Sequence, residues 1–279
     1  VLNYALLDSS SAQLQRYMNA AAASGVKLIW PMEYTPWWGP GQLAIMYPQL
    51  AQSCGCTSND AFLRYVVTLA KNSRSTWGYY IADEQPPAEA AQITAFSRRL
   101  RALDPDHPRL AVAAGEDSVA SLLTPYARAA DVVGADSYPV GTGQPLARVS
   151  FVSRAVQAVA RARGLKSAMV IQAFDWARYP QASRWPQARW PTSREMRTML
   201  DLVTRGADPS LVLWYSYFDV RDALASDCRW RDLIWAAFGT GTQVNSGSCS
   251  PLDPFGVPLV IVAPSGGEPI PTGPAANGQ

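Results

Sequence analysis

The sequence predicts an α/β chain folded as a (β/α)8 (TIM) barrel, lacking or atypical in its first strand and followed by a Pro/Gly-rich C-terminal tail. Three observations carry this. Short apolar segments alternate with amphipathic or Ala-rich segments of helical character from Leu2 to Phe238. Alternation of this kind demands a parallel sheet, because each helix is the crossover that returns the chain to the same end. Finally, Leu7-Asp8-Ser9-Ser10-Ser11 follows the first apolar segment and no Gly-x-Gly-x-x-Gly turn occurs, so a doubly wound nucleotide-binding sheet loses its hallmark.

In chain order the expected strands are Leu2 to Leu7, Lys27 to Met32, Trp77 to Ala82, Leu110 to Ala114, Val132 to Ala135, Ala168 to Ala173 and Leu211 to Tyr217. The expected helices are Ser11 to Ala23, Asp60 to Asn72, Ala88 to Leu103, Val119 to Ala129, Leu146 to Arg163, Ser193 to Thr204 and Trp230 to Phe238. Repeats of about 20–50 residues suit a barrel better than an open six-stranded sheet, with one strand preceding Val1. The insertion from Glu33 to Asn59 carries Tyr34, Trp37, Trp38, Tyr47 and two cysteines, and a loop of that length is usually functional. One domain, residues 1–240, and a tail, residues 241–279, are expected, since composition turns to Gly, Ser, Pro and Thr after Phe238.

Composition narrows the chemistry. With 24 basic and 22 acidic residues and no Lys/Arg run, the electrostatic footprint of a nucleic-acid binder is missing. The longest apolar runs fall short of the roughly 20 residues that a membrane span needs. A single histidine, His107 in a Pro-punctuated turn, removes two-His metal sites and most nucleophile-His pairs. Catalysis therefore falls to carboxylates, with no cofactor and no metal expected. Four cysteines suit a secreted monomer with disulfides; three connectivities are open, among them a Cys228 to Cys249 bridge pinning the tail. A four-thiolate zinc site competes, against the tight Cys54-Gly-Cys56 spacing.

In a barrel, active groups come from the carboxyl ends of the strands. Those ends read Asp8, Glu33, Asp83-Glu84, Glu116-Asp117, Asp136-Ser-Tyr138, Phe174-Asp175-Trp176 and Tyr217-Phe-Asp219. Asp8, Asp117 and Asp222 read as ordinary helix-capping acids. Trp77-Gly-Tyr-Tyr-Ile-Ala-Asp83-Glu84-Gln-Pro86-Pro87 is different: two adjacent carboxylates end an aromatic strand, and two prolines open the next helix. Adjacent side chains on extended backbone point opposite ways, so at most one enters the barrel directly. Crowded charges beside aromatics raise one proton affinity, which suits a general acid at neutral pH.

These strand ends resemble the superfamily of (β/α)8 glycoside hydrolases. Its retaining enzymes carry an acid/base Glu at the end of the fourth strand, often before Pro, and Glu84 matches it with Asp83 in place of the usual Asn. Val132-Val-Gly-Ala-Asp-Ser-Tyr-Pro139, Val170-Ile-Gln-Ala-Phe174 and Trp214-Tyr-Ser-Tyr217 are similar to the sixth, seventh and eighth strands of such barrels. The resemblance implies a Glu nucleophile where Gln172 stands, with Asp175 three residues later. The Asp-Glu pair also resembles the substrate-assisted hexosaminidases, in which Asp holds a 2-acetamido group. Catalytic roles accordingly go to Glu84, Asp83 and Asp136. With Asp136, Asp175 or Asp219 as second carboxylate, a separation of about 5–5.5 Å means retention and about 6.5–9.5 Å inversion.

Aromatic residues supply the binding half, because the apolar faces of sugars stack on flat side chains. Substrate contacts are expected from Glu33, Trp37, Trp38, Tyr138, Gln172, Phe174, Trp176, Tyr215, Tyr217 and Asp219. Ala177 to Pro191, with three Arg and two Trp, reads as a lid or subsite wall. The expected function is hydrolysis of O-glycosidic bonds in a polysaccharide or glycoconjugate. The rivals are a noncatalytic carbohydrate-binding barrel and a Mg²⁺ or Ca²⁺ enzyme using Glu33, Asp83, Glu84 and Asp136.

Overall fold

The computed structural model describes residue 2 and residues 6–33, 42–216 and 229–239. Among them are α1 (Ser11–Ala23), β1 (Leu28–Pro31), α2 (Gln42–Met46), α3 (Pro48–Cys54), α4 (Asn59–Lys71), β2 (Thr76–Asp83) and α5 (Ala90–Leu103). They continue with β3 (Arg109–Ala113), α6 (Val119–Leu123), β4 (Val132–Ser137), α7 (Ala147–Arg163), β5 (Lys166–Gln172), α8 (Ser193–Ala207), β6 (Leu211–Tyr215) and α9 (Arg229–Phe238). No helix among the described residues is long and apolar enough to cross a membrane.

The eight-stranded barrel is not what the chain forms. Among the described residues six strands hydrogen-bond in the order β1-β2-β3-β4-β5-β6. Of the expected first strand, Leu2 to Leu7, residues 3–5 lie outside the described residues; Leu2 makes a parallel bridge with Ile29, and Leu6 belongs to a short 3-10 turn. Asp83 ends β2, the second strand of this sheet, so the fourth-strand position implied by the barrel does not apply. The fold class stands as α/β, because strand and helix do alternate and the pairs β1/β2, β2/β3 and β5/β6 are parallel.

Local sequence accounts for the elements. Strands β1, β3 and β4 are buried at every position, which explains their continuous apolar runs in place of alternation. Ser10 starts α1 through a capping box with Gln13, and Thr192 starts α8 through one with Glu195. Helix α7 ends on Gly164 at φ 65, a left-handed position that favours glycine. The helix expected from Val119 to Ala129 divides into α6 and a 3-10 turn, Thr124–Arg128, because Pro125 lacks the N–H that a continuous helix would use. The long insertion contains α2 and α3, the latter opened by Pro48 and closed by Gly55 at φ 62. Cys54 and Cys56 are a close pair, their Cα atoms 5.2 Å apart. Cys228 and Cys249 lie outside the described residues, as does the tail 241–279.

The chain divides into two compact units. The first comprises Val1–Ala113 and Ser121–Val133; the second comprises Ala114–Ala120 and the described residues from Gly134 onward. In the first, α4 lays Phe62, Leu63, Val66, Val67 and Ala70 into the core and packs beside α5, which adds Ile93, Phe96 and Leu100. In the second, α7 packs on α8 and β5, while α8 adds Met196, Met199, Leu200 and Val203 and meets α9. Each fully buried side chain of this size contributes about 1.5–3 kcal/mol to holding its unit together.

Candidate functional site

In the first unit, two strand ends bring acids together. Pro31 of β1 lies opposite Tyr80 of β2, and the Met32 N–H donates to the Tyr80 carbonyl at 2.8 Å. Glu33, two residues past Pro31, therefore comes level with Ala82 and next to Asp83. Between Tyr80 and Ala82 the register of β2 against β3 slips by one residue. Such a slip resets the alternation of faces. Asp83, three residues after Tyr80, can then share its face, and the Tyr80 hydroxyl donates to Asp83 Oδ1 at 2.6 Å.

Glu33 is fully buried, and neither of its carboxyl oxygens has a hydrogen-bond partner on another described residue. Burial, reinforced by the neighbouring Asp83 charge and opposed by a backbone hydrogen bond at Glu33, pushes its carboxyl up to about 8. It is neutral at neutral pH. Glu84 is placed differently. It is exposed, lies past the end of β2 at φ 50, and its N–H donates to the Val112 carbonyl at 2.9 Å. A nonglycine residue in the left-handed region is uncommon. The turn that follows is held by Tyr126, whose hydroxyl donates to the carbonyls of Gln85 and Pro86 at 2.9 and 2.5 Å.

In the second unit Asp136 is nearly buried on β4 and accepts a hydrogen bond from the Gly115 N–H at 2.8 Å. The approach is so close that a Cβ at Gly115 would stand 1.7 Å from the Asp136 carbonyl oxygen. Arg148, near the start of α7, grips the same loop, pairing with Asp117 and donating to the Gly115 carbonyl at 2.8 Å. Asp117 is thus held in an ion pair. Gln172 is fully buried and its amide is spent on backbone: it accepts from the Val140 N–H at 2.8 Å and donates to the carbonyls of Val140 and Phe174 at 3.0 and 3.2 Å. That side chain splints two loops.

The aromatic residues expected after β4, β5 and β6 do gather. Buried Phe174 is met edge-on by Trp176, Tyr138, Tyr179 and Tyr215, with ring centroids 4.8, 5.0, 5.0 and 5.5 Å away. Trp185 leans on Trp176 at 4.4 Å, and the Trp176 indole donates to the Tyr138 carbonyl at 3.2 Å. The outer members are half-buried, so flat apolar edges face water around a fixed centre. Asp175 caps the following turn through the Ala177 N–H at 2.8 Å. The segment from Ala177 to Pro191 is tied at its far end by Arg189, which forms a two-pronged pair with Glu195 at 2.8 and 2.6 Å.

Trp37, Trp38, Tyr217 and Asp219 lie outside the described residues. Among the described residues no three His, Cys, Asp or Glu side chains gather as a cation site. His107 is bound to Asp104 at 2.8 Å, and the Tyr79 hydroxyl reaches the same carboxylate at 2.6 Å, a buried linkage at the opposite end of β2 from Asp83. Tyr80, Tyr126, Gly115 and Arg148 were not anticipated from sequence. Only Gly115, a glycine directly after a strand, carried a local signal of close backbone approach.

No protein-family model and no curated protein matches the chain. Among solved structures it is similar to a protein assigned as an α-L-fucosidase from Bacteroides thetaiotaomicron, with TM-score 0.50 and 11% identity over 75% of this chain and 66% of that one. A GH2 beta-galacturonidase from Eisenbergiella tayi gives TM-score 0.44 at 15% identity over 70% of this chain, and a beta-glucuronidase from Ruminococcus gnavus gives 0.42 at 12% over 69%. The chain spans about a third of the length of these last two, 32% and 33%. The likeness is one of fold.

Proposed function

We propose that the chain hydrolyses O-glycosidic bonds of an extracellular polysaccharide or glycoconjugate, using carboxyl groups for acid–base chemistry and aromatic side chains to hold the sugar. The observation that carries this is Glu33: a fully buried carboxyl without a partner on another described residue, whose enclosure pushes it up to about 8. Leaving a buried polar group unsatisfied costs about 1–3 kcal/mol, and such groups gather where chemistry is done. Within the second unit by itself, the rings around Phe174 offer flat apolar faces of the kind on which sugars stack. The fucosidase assignment of the fold neighbour at TM-score 0.50 agrees with this reading.

One observation favours the rival, a noncatalytic carbohydrate-binding protein: Gln172 stands where the resemblance implies a nucleophile, and its amide is spent on backbone. A panel of 4-nitrophenyl glycosides and plant and bacterial polysaccharides, assayed for released phenol and reducing ends with and without a chelator, decides between them. Turnover that survives chelation is expected. Saturable binding of oligosaccharide with no product on long incubation would establish the binding protein instead.

A further inference from the structure

The insertion between β1 and α4 carries sulfur chemistry that the glycosidase reading does not use. Helix α3 ends at Cys54, Gly55 follows at φ 62, and Cys56 stands on its far side, so two sulfurs flank one glycine with their Cα atoms 5.2 Å apart. That separation lies inside the range that a disulfide spans. Backbone alone sets it: the Cys56 N–H donates to the Ala51 carbonyl at 3.0 Å and the Gly55 N–H to the Gln52 carbonyl at 3.2 Å, closing the glycine turn that ends the helix.

A bond between Cys54 and Cys56 closes a ring around a single intervening residue, and the stabilisation that a crosslink draws from loop entropy is smallest for the shortest loops. Because hydrogen bonds already close the same turn, the fold does not rest on that bond. The opened state is also provided for, since the Cys54 thiol then has the Ala51 carbonyl as acceptor, 3.3 Å away. Access is open. Both cysteines are half-buried, Gly55 and Thr57 are exposed, and a Cβ at Gly55 would meet nothing within 4 Å. A crosslink that reagents can reach is of the labile rather than the structural kind.

We propose that Cys54 and Cys56 are a thiol–disulfide exchange site whose substrate is an external dithiol. The proposal stands apart from the glycosidase reading, since it uses no carboxyl group and no sugar. In the exchange a thiol of the substrate gives its proton to solvent and its sulfur attacks one cysteine sulfur. The Cys54–Cys56 bond breaks, its electron pair stays on the other cysteine, and that sulfur takes a proton. The second thiol of the substrate then loses its proton and attacks its own sulfur in the mixed disulfide, and the remaining cysteine leaves and is protonated. Two electrons and two protons have moved: the dithiol is oxidised to a disulfide and the pair is reduced to two thiols. An external disulfide drives the same steps backwards.

The native full chain tests this, with the two cysteines followed by alkylation and peptide mass mapping, apart from Cys228 and Cys249. After treatment with glutathione disulfide, Cys54 and Cys56 should be joined to each other. Dithiothreitol at neutral pH without denaturant should then open the pair at a rate within about tenfold of that in the urea-unfolded chain, because nothing shields it. Reduced glutathione, a monothiol, should open at least about tenfold less of it at equal thiol concentration, since the neighbouring cysteine expels the mixed disulfide. Cys54→Ser, Cys56→Ser together should keep the wild-type circular dichroism. A pair that glutathione disulfide cannot join, or one that opens more slowly than the stated tenfold, overturns the exchange site. Loss of secondary structure in the double variant would make the bond a staple and overturn it equally. Equal opening by the monothiol would overturn the dithiol as substrate.

Discussion

Replacing Glu33 by Gln changes how stability depends on pH, and the size of the change follows from burial. The Glu33 carboxyl is raised from 4.5 to about 8 by its enclosure and by Asp83. Below the unfolded value both states hold the proton and the group adds no slope. Between about 4.5 and about 8 the folded chain keeps the proton that the unfolded chain has lost, so wild-type stability falls by about 1.4 kcal/mol per pH unit from this group. Over that window the loss sums to about 5 kcal/mol, then levels off above the folded value. Because the side chain is fully buried, solvent screening takes little from this figure. Glu33→Gln removes the slope. Whatever a buried glutamine costs is the same at every pH and shifts its curve vertically. Urea unfolding of both proteins between about pH 5 and about pH 9 should therefore give two lines that converge or cross, with the variant relatively stabilised at the alkaline end. Parallel lines would show that Glu33 ionises as freely in the folded chain as in the unfolded one, and the reasoning would fail.

Gly115→Ala should cost about 3–5 kcal/mol, since its Cβ would sit 1.7 Å from the Asp136 carbonyl oxygen and the hydrogen bond to Asp136 must break. Gly164→Ala, at φ +65 with open space around it, should cost only about 1–2 kcal/mol; equal urea midpoints for the two variants would contradict the close approach. Arg189 holds the Glu195 carboxyl down at about 2, so their pairing adds stability above the unfolded value of 4.5 and loses it as pH falls through about 2. With Arg189 half-exposed, Arg189→Gln should cost about 1 kcal/mol at neutral pH and nothing near pH 2, and an unchanging cost would assign its role to packing. Trp176→Ala should weaken oligosaccharide binding about tenfold in a fluorescence titration, equivalent to about 1.4 kcal/mol, and unchanged affinity would detach the aromatic cluster from sugar binding.

Much of the fold was legible because strand and helix signals are local. Lys27 to Met32 became β1 and Ala168 to Ala173 became β5 with small shifts at their ends, and Ser11 to Ala23 became α1 without change. The eight-stranded barrel read from the sequence does not form, because the number of strands that pair depends on hydrogen bonds between segments far apart in the chain. At the candidate site, the aromatic gathering around Phe174 was visible as residues following three strands, while the burial of Glu33 and the use of the Gln172 amide were not. Gln172 meets Val140 across 32 residues of chain, and no local pattern announces that.

The sequence by itself determined where the elements lie, that acids and aromatics follow the strands, and that one histidine leaves proton transfer to carboxyl groups. Only the tertiary structure decided which acid is enclosed and which is wet. Of the adjacent pair, Asp83 turns toward Tyr80 and Glu84 toward solvent because β2 slips one residue against β3. Proton affinity depends on desolvation and neighbouring charge, and both are properties of packing rather than of spacing along the chain.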